Sequence, residues 1–351
     1  NISGTVTLNS SNTGGSGIVF QNNASTFTHA LSARSHDRIT VNVDVTTNNG
    51  SLAMDGDANN SADTNDDIQF TGARTLTTGN GGALTLSSAI NANTAGGASL
   101  DLNTSGAAIL SGATGATNAL SALTTDAGGT ININGGAVTT TGSQDYKAAV
   151  VLGADATLTS TGTGATIVFD KTLDGTHALT ISSNGPFISF KDPVGGTTPL
   201  ASLDVTAPGG TLISDTAGIT TTGAQTYNDK VTFNAGPTTL TGTNLTFNDE
   251  LSSASATLND DGTTTFNGAI PTGPAGLTTD AAGTTVINGG TVDIGGTLTF
   301  NDPVTLGADT TLSGADLTFA DSLSGASHKA TMNGNDITVD AVTLDEWKVD
   351  A

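Results

Sequence analysis

The sequence predicts an all-β fold, a parallel β-helix (β-solenoid) with about 20 residues per coil. Three observations lead to this prediction. Apolar residues alternate with Thr, Ser and Asn, turn formers include 46 glycines among 351 residues, and one short motif recurs near every twentieth position. Alternation is typical of strands, and a fixed spacing indicates that the strands belong to stacked coils.

The recurring motif is built around an aromatic residue, as in Leu245-Thr-Phe247 and Leu298-Thr-Phe300. Its first and third residues point inward and its threonine outward, because successive strand residues face opposite sides. The aromatic positions are Tyr146, Phe169, Phe190, Tyr227, Phe247, Phe266, Phe300 and Phe319. Their spacings are 19 to 23 residues, or close to twice that at 37 and 34, which predicts one motif per coil.

The N-terminal third, residues 1–116, has the same composition but a weaker period, so we predict degenerate coils there. An interruption is expected near 26–40, where His29, Arg34, His36 and Arg38 cluster in a chain with only 9 Lys and Arg. We predict a loop or short helix that projects from the coils.

Residues 117–335 form the regular region. In addition to the short motif, this region contains a longer repeat that spans several short ones. "VTTTGSQDYKAAVVL" at 138–152 returns as "ITTTGAQTYNDKVTF" at 219–233. A catalytic motif is normally needed once, so a recurring stretch indicates scaffold, here duplicated blocks of about four coils. Residues 336–351 contain no glycine and hold Trp347, which predicts a cap or an assembly segment over the last coil.

Charge and composition exclude several function classes. The formal net charge is −23, so nucleic acid and anionic membrane surfaces are unfavourable partners, and no apolar run is long enough for a membrane helix. The chain has no cysteine, which excludes disulfides, thiol catalysis and thiolate metal sites.

Carboxylates recur two positions after the aromatic. They are Asp192, Asp229, Asp249, Asp302 and Asp321. Stacked carboxylates suit Ca²⁺, but Asp also bends corners by accepting a backbone N–H. We favour the corner role, because the glycine-aspartate nonapeptide of Ca²⁺-binding β-rolls is absent. We therefore predict no metal and no cofactor, with a Ca²⁺ column as the alternative.

The histidines give no support for catalysis. Thr28-His29-Ala30-Leu31 matches Thr176-His177-Ala178-Leu179, and Asn118 fills the same frame, which indicates an exposed turn. Polysaccharide-active β-helix enzymes need acids and Lys or Arg that converge across coils, whereas these acids recur in repeating frames. We predict that the protein is not an enzyme and has no catalytic residue, with a β-helix polysaccharide-active enzyme as the alternative.

The Leu-Thr-Phe-x-Asp-x-Val, Leu-Gly-Ala-Asp-x-Thr-Leu and Thr-Thr-Thr-Gly-x-Gln-x-Tyr units resemble repeats of bacterial filamentous-haemagglutinin-like adhesins and autotransporter passengers. The resemblance covers residues 117–340 and implies a right-handed parallel β-helix, secretion to the cell surface, and adhesion or fibre building. It carries over no catalytic residues. An Asn-Pro-Asn secretion motif and an Arg-Gly-Asp sequence are both absent.

These observations predict a secreted structural β-solenoid that forms or extends an extracellular fibre or surface assembly by head-to-tail self-association. Its partners would be other copies of the chain or neighbouring domains of a larger surface protein. The alternative is a passive stalk within a larger adhesin.

Overall fold

The computed structural model describes residues 4–11, 17–61, 65–271, 273–325, 327–344 and 346–350, without the side chains of 253, 346, 347, 349 and 350. Within them the chain is all β, a parallel β-solenoid of about 16 turns spaced about 21 residues apart. The predicted fold class and coil length are confirmed, and the handedness stays a prediction. The described residues contain no helix long and apolar enough to span a membrane.

The chain divides into two compact units, residues 1–186 and 187–351. The strands of the first unit are Val6–Ser10 (β1), Ile18–Phe20 (β2), Ser25–Phe27 (β3), Leu31–Ser35 (β4), Ile39–Val41 (β5), Val45–Thr47 (β6), Leu52–Asp55 (β7), Asp67–Phe70 (β8), Gly72–Thr78 (β9), Leu84–Leu86 (β10), Ala89–Ala92 (β11), Ala98–Thr104 (β12), Ala107–Leu110 (β13), Ala122–Thr125 (β14), Thr130–Ile133 (β15), Ala137–Thr140 (β16), Gln144–Tyr146 (β17), Ala149–Leu152 (β18), Ala156–Ser160 (β19), Ile167–Phe169 (β20), Leu173–Asp174 (β21) and Ala178–Ser183 (β22).

The strands of the second unit are Ile188–Phe190 (β23), Ser202–Thr206 (β24), Thr211–Ile213 (β25), Ile219–Thr220 (β26), Ala224–Tyr227 (β27), Val231–Phe233 (β28), Thr238–Gly242 (β29), Asn244–Phe247 (β30), Leu251–Ser253 (β31), Ala256–Asp260 (β32), Thr263–Phe266 (β33), Leu277–Thr279 (β34), Thr284–Ile287 (β35), Thr291–Asp293 (β36), Thr297–Phe300 (β37), Val304–Leu306 (β38), Thr310–Ser313 (β39), Asp316–Ser324 (β40), Lys329–Asn333 (β41), Asp336–Thr343 (β42) and Glu346–Asp350 (β43).

Each coil of the first unit places successive strands in different sheets. One sheet runs β1-β4-β7-β10-β13-β15-β18-β21, and another runs β3-β6-β9-β12-β14-β17-β20. A third face of the coil consists of two series of strands, β2-β5-β8-β11 and β16-β19-β22. Thr114 connects the two series, because it forms parallel bridges with Ile90 of β11 and Val138 of β16.

The second unit has three sheets of the same kind. The first sheet runs β24-β27-β30-β33-β35-β38, and the second runs β26-β29-β32-β34-β37-β40. The third consists of β23-β25-β28-β31 and β36-β39-β41-β43. The pairings of the described strands are parallel, with residues such as Tyr227 and Phe247 in register, and the pairing of β40 with β42 shifts register between Phe319 and Ser322.

Alternation explains why these short segments are strands with a packed interior. In β30, Leu245 and Phe247 are at most 1% exposed, whereas Thr246 between them is half-buried on the outer surface. Full burial of such a side chain contributes about 1.5–3 kcal/mol, which a two- to five-residue strand could not gain alone. The coils are therefore stable because each covers its neighbours.

The aromatic motif occupies more than one sheet. The rings of Tyr227, Phe247 and Phe266 stack along the first sheet, with centroids 5.4 and 5.5 Å apart. Phe300 and Phe319 stack at 5.3 Å in the second sheet. The motif spacing thus follows the coil length but not one fixed place in the coil, because every sheet offers the same inward positions.

The segment near 26–40 forms strands instead of the projecting loop or helix that its charge suggested. It contributes β3, β4 and β5, and β4 pairs in parallel with both β1 and β7. The inward residues Leu31 and Ala33 are buried, and the alternation of buried and outward positions continues through the basic residues, which occupy outward positions.

Residues 336–343 and 346–350 form the strands β42 and β43. Among the described strands, β42 pairs with β40 and β43 pairs with β41. The Trp347 side chain, part of the predicted cap or assembly segment, lies outside the described residues, as do Asn1 to Ser3 at the start of the chain.

Candidate functional site

The duplicated stretch builds the same buried polar cluster in each unit. In the first unit, Gln144 Nε2 donates to the carbonyl of Thr159 at 2.9 Å, that of Val138 at 3.2 Å and Thr140 Oγ1 at 3.3 Å. Its Oε1 accepts the hydroxyl of Tyr146 at 2.8 Å. Because Thr159 belongs to the next coil, this glutamine–tyrosine clasp joins two coils through side chains.

The second unit repeats the clasp almost atom for atom. Gln225 Nε2 donates to the carbonyls of Thr241 at 2.8 Å and Ile219 at 3.3 Å, and Tyr227 donates to its Oε1 at 2.8 Å. Both glutamines and both tyrosines are 0% exposed, and burial raises the pKa of both phenols. A neutral, satisfied network of this kind specifies a unique packing, so the clasp is structural.

A chain of amides, the asparagine ladder, runs along the first sheet of the second unit. Asn248 donates to Asn228 at 2.9 Å, and Asn267 donates to Asn248 at 2.8 Å. Asn288 donates to Asn267 at 2.8 Å, and Asn228 donates to Asp204 at 2.8 Å. All the amides point the same way, toward a carboxylate at one end. Such a chain strengthens each bond by polarising the next.

The five aspartates of the predicted carboxylate column lie in three different places. Asp229 and Asp249 follow strands of the first sheet, and Asp192 follows β23 of the third. Asp302 follows β37 of the second sheet, and Asp321 lies within β40. No single column forms, because the aromatic motif that aligned them in sequence occupies different sheets.

Three of these aspartates accept backbone N–H groups at corners. Asp229 accepts from Ala207 at 2.7 Å, Asp249 from Glu250 at 2.8 Å and Asp321 from Ser322 at 2.6 Å. Among the described residues, no group of three or more His, Asp or Glu is arranged to hold a metal ion. Binding of Ca²⁺ by these carboxylates stays a hypothesis.

Asp302 differs from the others because it turns inward and is 3% exposed. Its two oxygens accept the hydroxyls of Thr279 at 2.5 Å and Thr285 at 2.7 Å. Burial raises the pKa of this carboxyl despite those hydrogen bonds, and the charge of Asp280 adds to the rise. Two hydroxyl donors and no cation indicate a structural carboxyl.

Two histidines sit at equivalent corners, one in each unit. His177 Nδ1 lies 3.4 Å from Asp155 Oδ1, and His328 Nδ1 lies 3.6 Å from Asp309 Oδ1. Each aspartate also accepts the N–H of the residue after the histidine, at 3.0 Å. The aspartate of the repeated Leu-Gly-Ala-Asp unit therefore accepts a backbone N–H at a corner of the following coil. The sequence alone did not reveal this role.

The basic segment borders a cavity of about 390 Å³ whose lining includes Asn9, Arg34 and His36. Arg34 lies 3.5 Å from Asp55, an exposed pair that contributes little energy. Nearby, Arg38 Nε donates to Asp67 Oδ1 at 2.6 Å, and the other oxygen of this 8%-exposed carboxylate accepts an amide from Asn91. Both cations are thus engaged with neighbouring coils.

Comparison with family models, curated proteins and solved structures finds no match for this chain. The resemblance to adhesin repeats therefore rests on the quoted motifs alone. The geometry assigns the polar side chains described above to the joining of coils and the turning of corners. Their arrangement can hold a regular solenoid together, and they do not converge on one reacting position.

Proposed function

We propose that this protein is a secreted, non-catalytic structural element that forms or extends an extracellular fibre by stacking copies end to end. The observation that carries the proposal is the parallel ladder of the second unit, which runs from coil to coil up to β42, with one register shift between Phe319 and Ser322 of β40. A strand with one paired edge offers a template to another chain.

The polar side chains support a structural role. The clasps at Gln144 and Gln225 and the asparagine ladder each join one coil to the next. A catalytic site would require acids and bases held near one substrate. These groups are instead spread along the sheets at coil spacing, which suits a spacer or fibre.

The edge of β42 that faces away from β40 can be tested at one backbone position. In the same sheet Asp280 donates its N–H to Leu258 of the preceding coil at 3.0 Å, and the register places Thr338 at the position of Thr278, two residues before Asp280. Because backbone groups alternate along a strand, the N–H of Thr338 points back to β40 and that of Ile337 points to the opposite edge. We therefore expect Ile337→Pro to remove a donor that the incoming copy needs, while the pairing with β40 is retained.

Sedimentation and negative-stain electron microscopy of the purified chain test the proposal across protein concentration. The wild type should form fibres or concentration-dependent oligomers, Ile337→Pro should lose them, and the matched control Ile337→Ala should keep them. Deletion of residues 336–351 should have the same effect as the proline. Fibres that survive both changes would show that this edge takes no part in assembly.

A passive stalk is the other structural role that this fold supports. Protein that stays monomeric across salt and Ca²⁺ titrations would exclude self-assembly and favour the stalk. The release of reducing ends from anionic polysaccharides would overturn the non-catalytic proposal.

A further inference from the structure

The first sheet of the second unit presents a regular outer surface three residues wide. It consists of the outward residues of β27, β30, β33 and β35 together with the residue after each strand. We call it the threonine–asparagine face. Its rows are Ala224, Asn244, Thr263 and Thr284; Thr226, Thr246, Thr265 and Val286; and Asn228, Asn248, Asn267 and Asn288.

This face carries no charged residue, although the chain has a formal net charge of −23. Acidic residues border this face: Asp204 of the adjacent strand β24 pairs with Thr226, and Asp229 and the pair Asp249 and Glu250 lie at the next corner. The four strands belong to one sheet and pair in register, so equivalent side chains of successive coils lie side by side. The result is an uncharged, periodic surface in a strongly acidic protein.

The hydrogen bonds along this face hold its side chains in order while leaving donors for a ligand. Asn248, Asn267 and Asn288 each use one hydrogen of the side-chain NH2 group for a ladder bond. The second hydrogen of each NH2 group takes no part in the ladder and can be donated to a ligand. Thr263 and Thr284 share a hydroxyl contact of 3.2 Å. The χ1 angle of threonine is restricted. Binding a ligand therefore costs these side chains little conformational entropy.

We propose that the threonine–asparagine face binds ice, or the ordered water lattice at an ice surface. Neighbouring strands repeat at about 4.7–4.9 Å, close to the repeat of water oxygens along a crystal axis of hexagonal ice. Rows of hydroxyl, methyl and amide groups at that spacing match a neutral lattice of hydrogen-bonding molecules. A charged side chain would instead hold water in its own hydration shell.

Other ligands fit this surface less well. A charged polymer has no counter-charge to pair with among the twelve positions. Sugar chains are commonly held on exposed aromatic rings, whereas Tyr227, Phe247 and Phe266 point inward and are at most 1% exposed. A protein partner would need an apolar centre, and Val286 is the one large apolar residue of the face.

Thermal hysteresis and inhibition of ice recrystallisation by the purified full chain test the proposal. Thr265→Lys places a flexible charge in the middle row and should abolish both activities. The matched control is Thr311→Lys in β39 of the third sheet, which is also an outward, half-buried threonine. The control should keep both activities, and circular dichroism should show the same β content for all three proteins.

The proposal is overturned if the wild type shows neither activity at any protein concentration. It is equally overturned if Thr265→Lys retains wild-type activity, or if Thr311→Lys loses as much. These assays do not depend on fibre formation, so the failure of one proposal leaves the other standing.

Discussion

The phenolic oxygen of Tyr227 lies 2.8 Å from Oε1 of Gln225, two residues earlier on the same strand. Tyr146 and Gln144 repeat this contact at the same distance in the first unit. Both pairs are completely buried, so each hydroxyl has exchanged water for one protein acceptor. The two copies of the fifteen-residue stretch therefore form the same buried contact.

Tyr227→Phe should weaken the second unit locally. The ring still stacks on Phe247, but the Oε1 of Gln225 loses its donor in a buried place, at a cost of about 1–3 kcal/mol. Native-state hydrogen exchange of the amides in β27 and β30 measures this loss. Tyr146→Phe is the matched control, with its effect in β17 and β20. Unchanged exchange in both variants would contradict the role of the clasp.

Asn248→Ala should interrupt the asparagine ladder. It removes one bond donated to Asn228 and one accepted from Asn267. The site is exposed and water replaces part of the loss, so we expect about 0.5–1.5 kcal/mol in the free energy of unfolding. Asn335→Ala, at an exposed asparagine outside the ladder, should change stability by less than about 0.5 kcal/mol. Equal effects in the two denaturation curves would show that the ladder adds nothing.

Asp302 should make an identifiable contribution to the pH dependence of stability. Its pKa in the folded protein is raised above the ordinary value of 3.8, mainly by burial. The folded state therefore binds the proton more tightly than the unfolded state. The contribution of Asp302 to the free energy of unfolding is fully present below pH 3.8. It is lost as the pH rises through the pKa of Asp302 in the folded protein.

Asp302→Asn removes this titration and keeps one oxygen to accept a threonine hydroxyl. The stability of the variant relative to wild type should therefore rise between acid and neutral pH, as measured by urea unfolding at each pH. The control Asp249→Asn alters an exposed corner carboxylate. A relative stability of the Asp302 variant that is flat with pH would refute the prediction.

Gly283→Ala should be strongly destabilising, whereas Gly295→Ala should not. Gly283 has φ of +70°, and an added Cβ would lie 2.2 Å from the carbonyl oxygen of Gly262. Left-handed strain alone costs about 1–3 kcal/mol. At Gly295 an added Cβ meets nothing within 4 Å, so alanine should be neutral or stabilise by about 0.4–1 kcal/mol. Melting temperatures that shift equally would show that coil contacts do not select glycine at 283.

Alternation and turn residues predicted the strands of the regular region, whereas near 26–40 the cluster of basic residues led to the wrong prediction of a loop or helix. Leu245 and Phe247 face inward as their spacing indicates, and the coil length follows from the distances between aromatic residues. The asparagine ladder also had a sequence signal, because an asparagine directly follows the inward aromatic or isoleucine in four successive coils. The carboxylates two positions after the aromatic, by contrast, lie in different sheets.

The sequence by itself determined the local pattern: which residues point inward, where the chain turns and how long a coil is. These properties depend on the geometry of single strands and short turns. The tertiary structure alone decided which sheet each motif occupies, that Asp302 is buried while Asp249 stays exposed, and that Gln225 reaches Thr241 in the next coil. Those outcomes depend on register between coils, a long-range property, because identical motifs fit equally well in any of the three sheets.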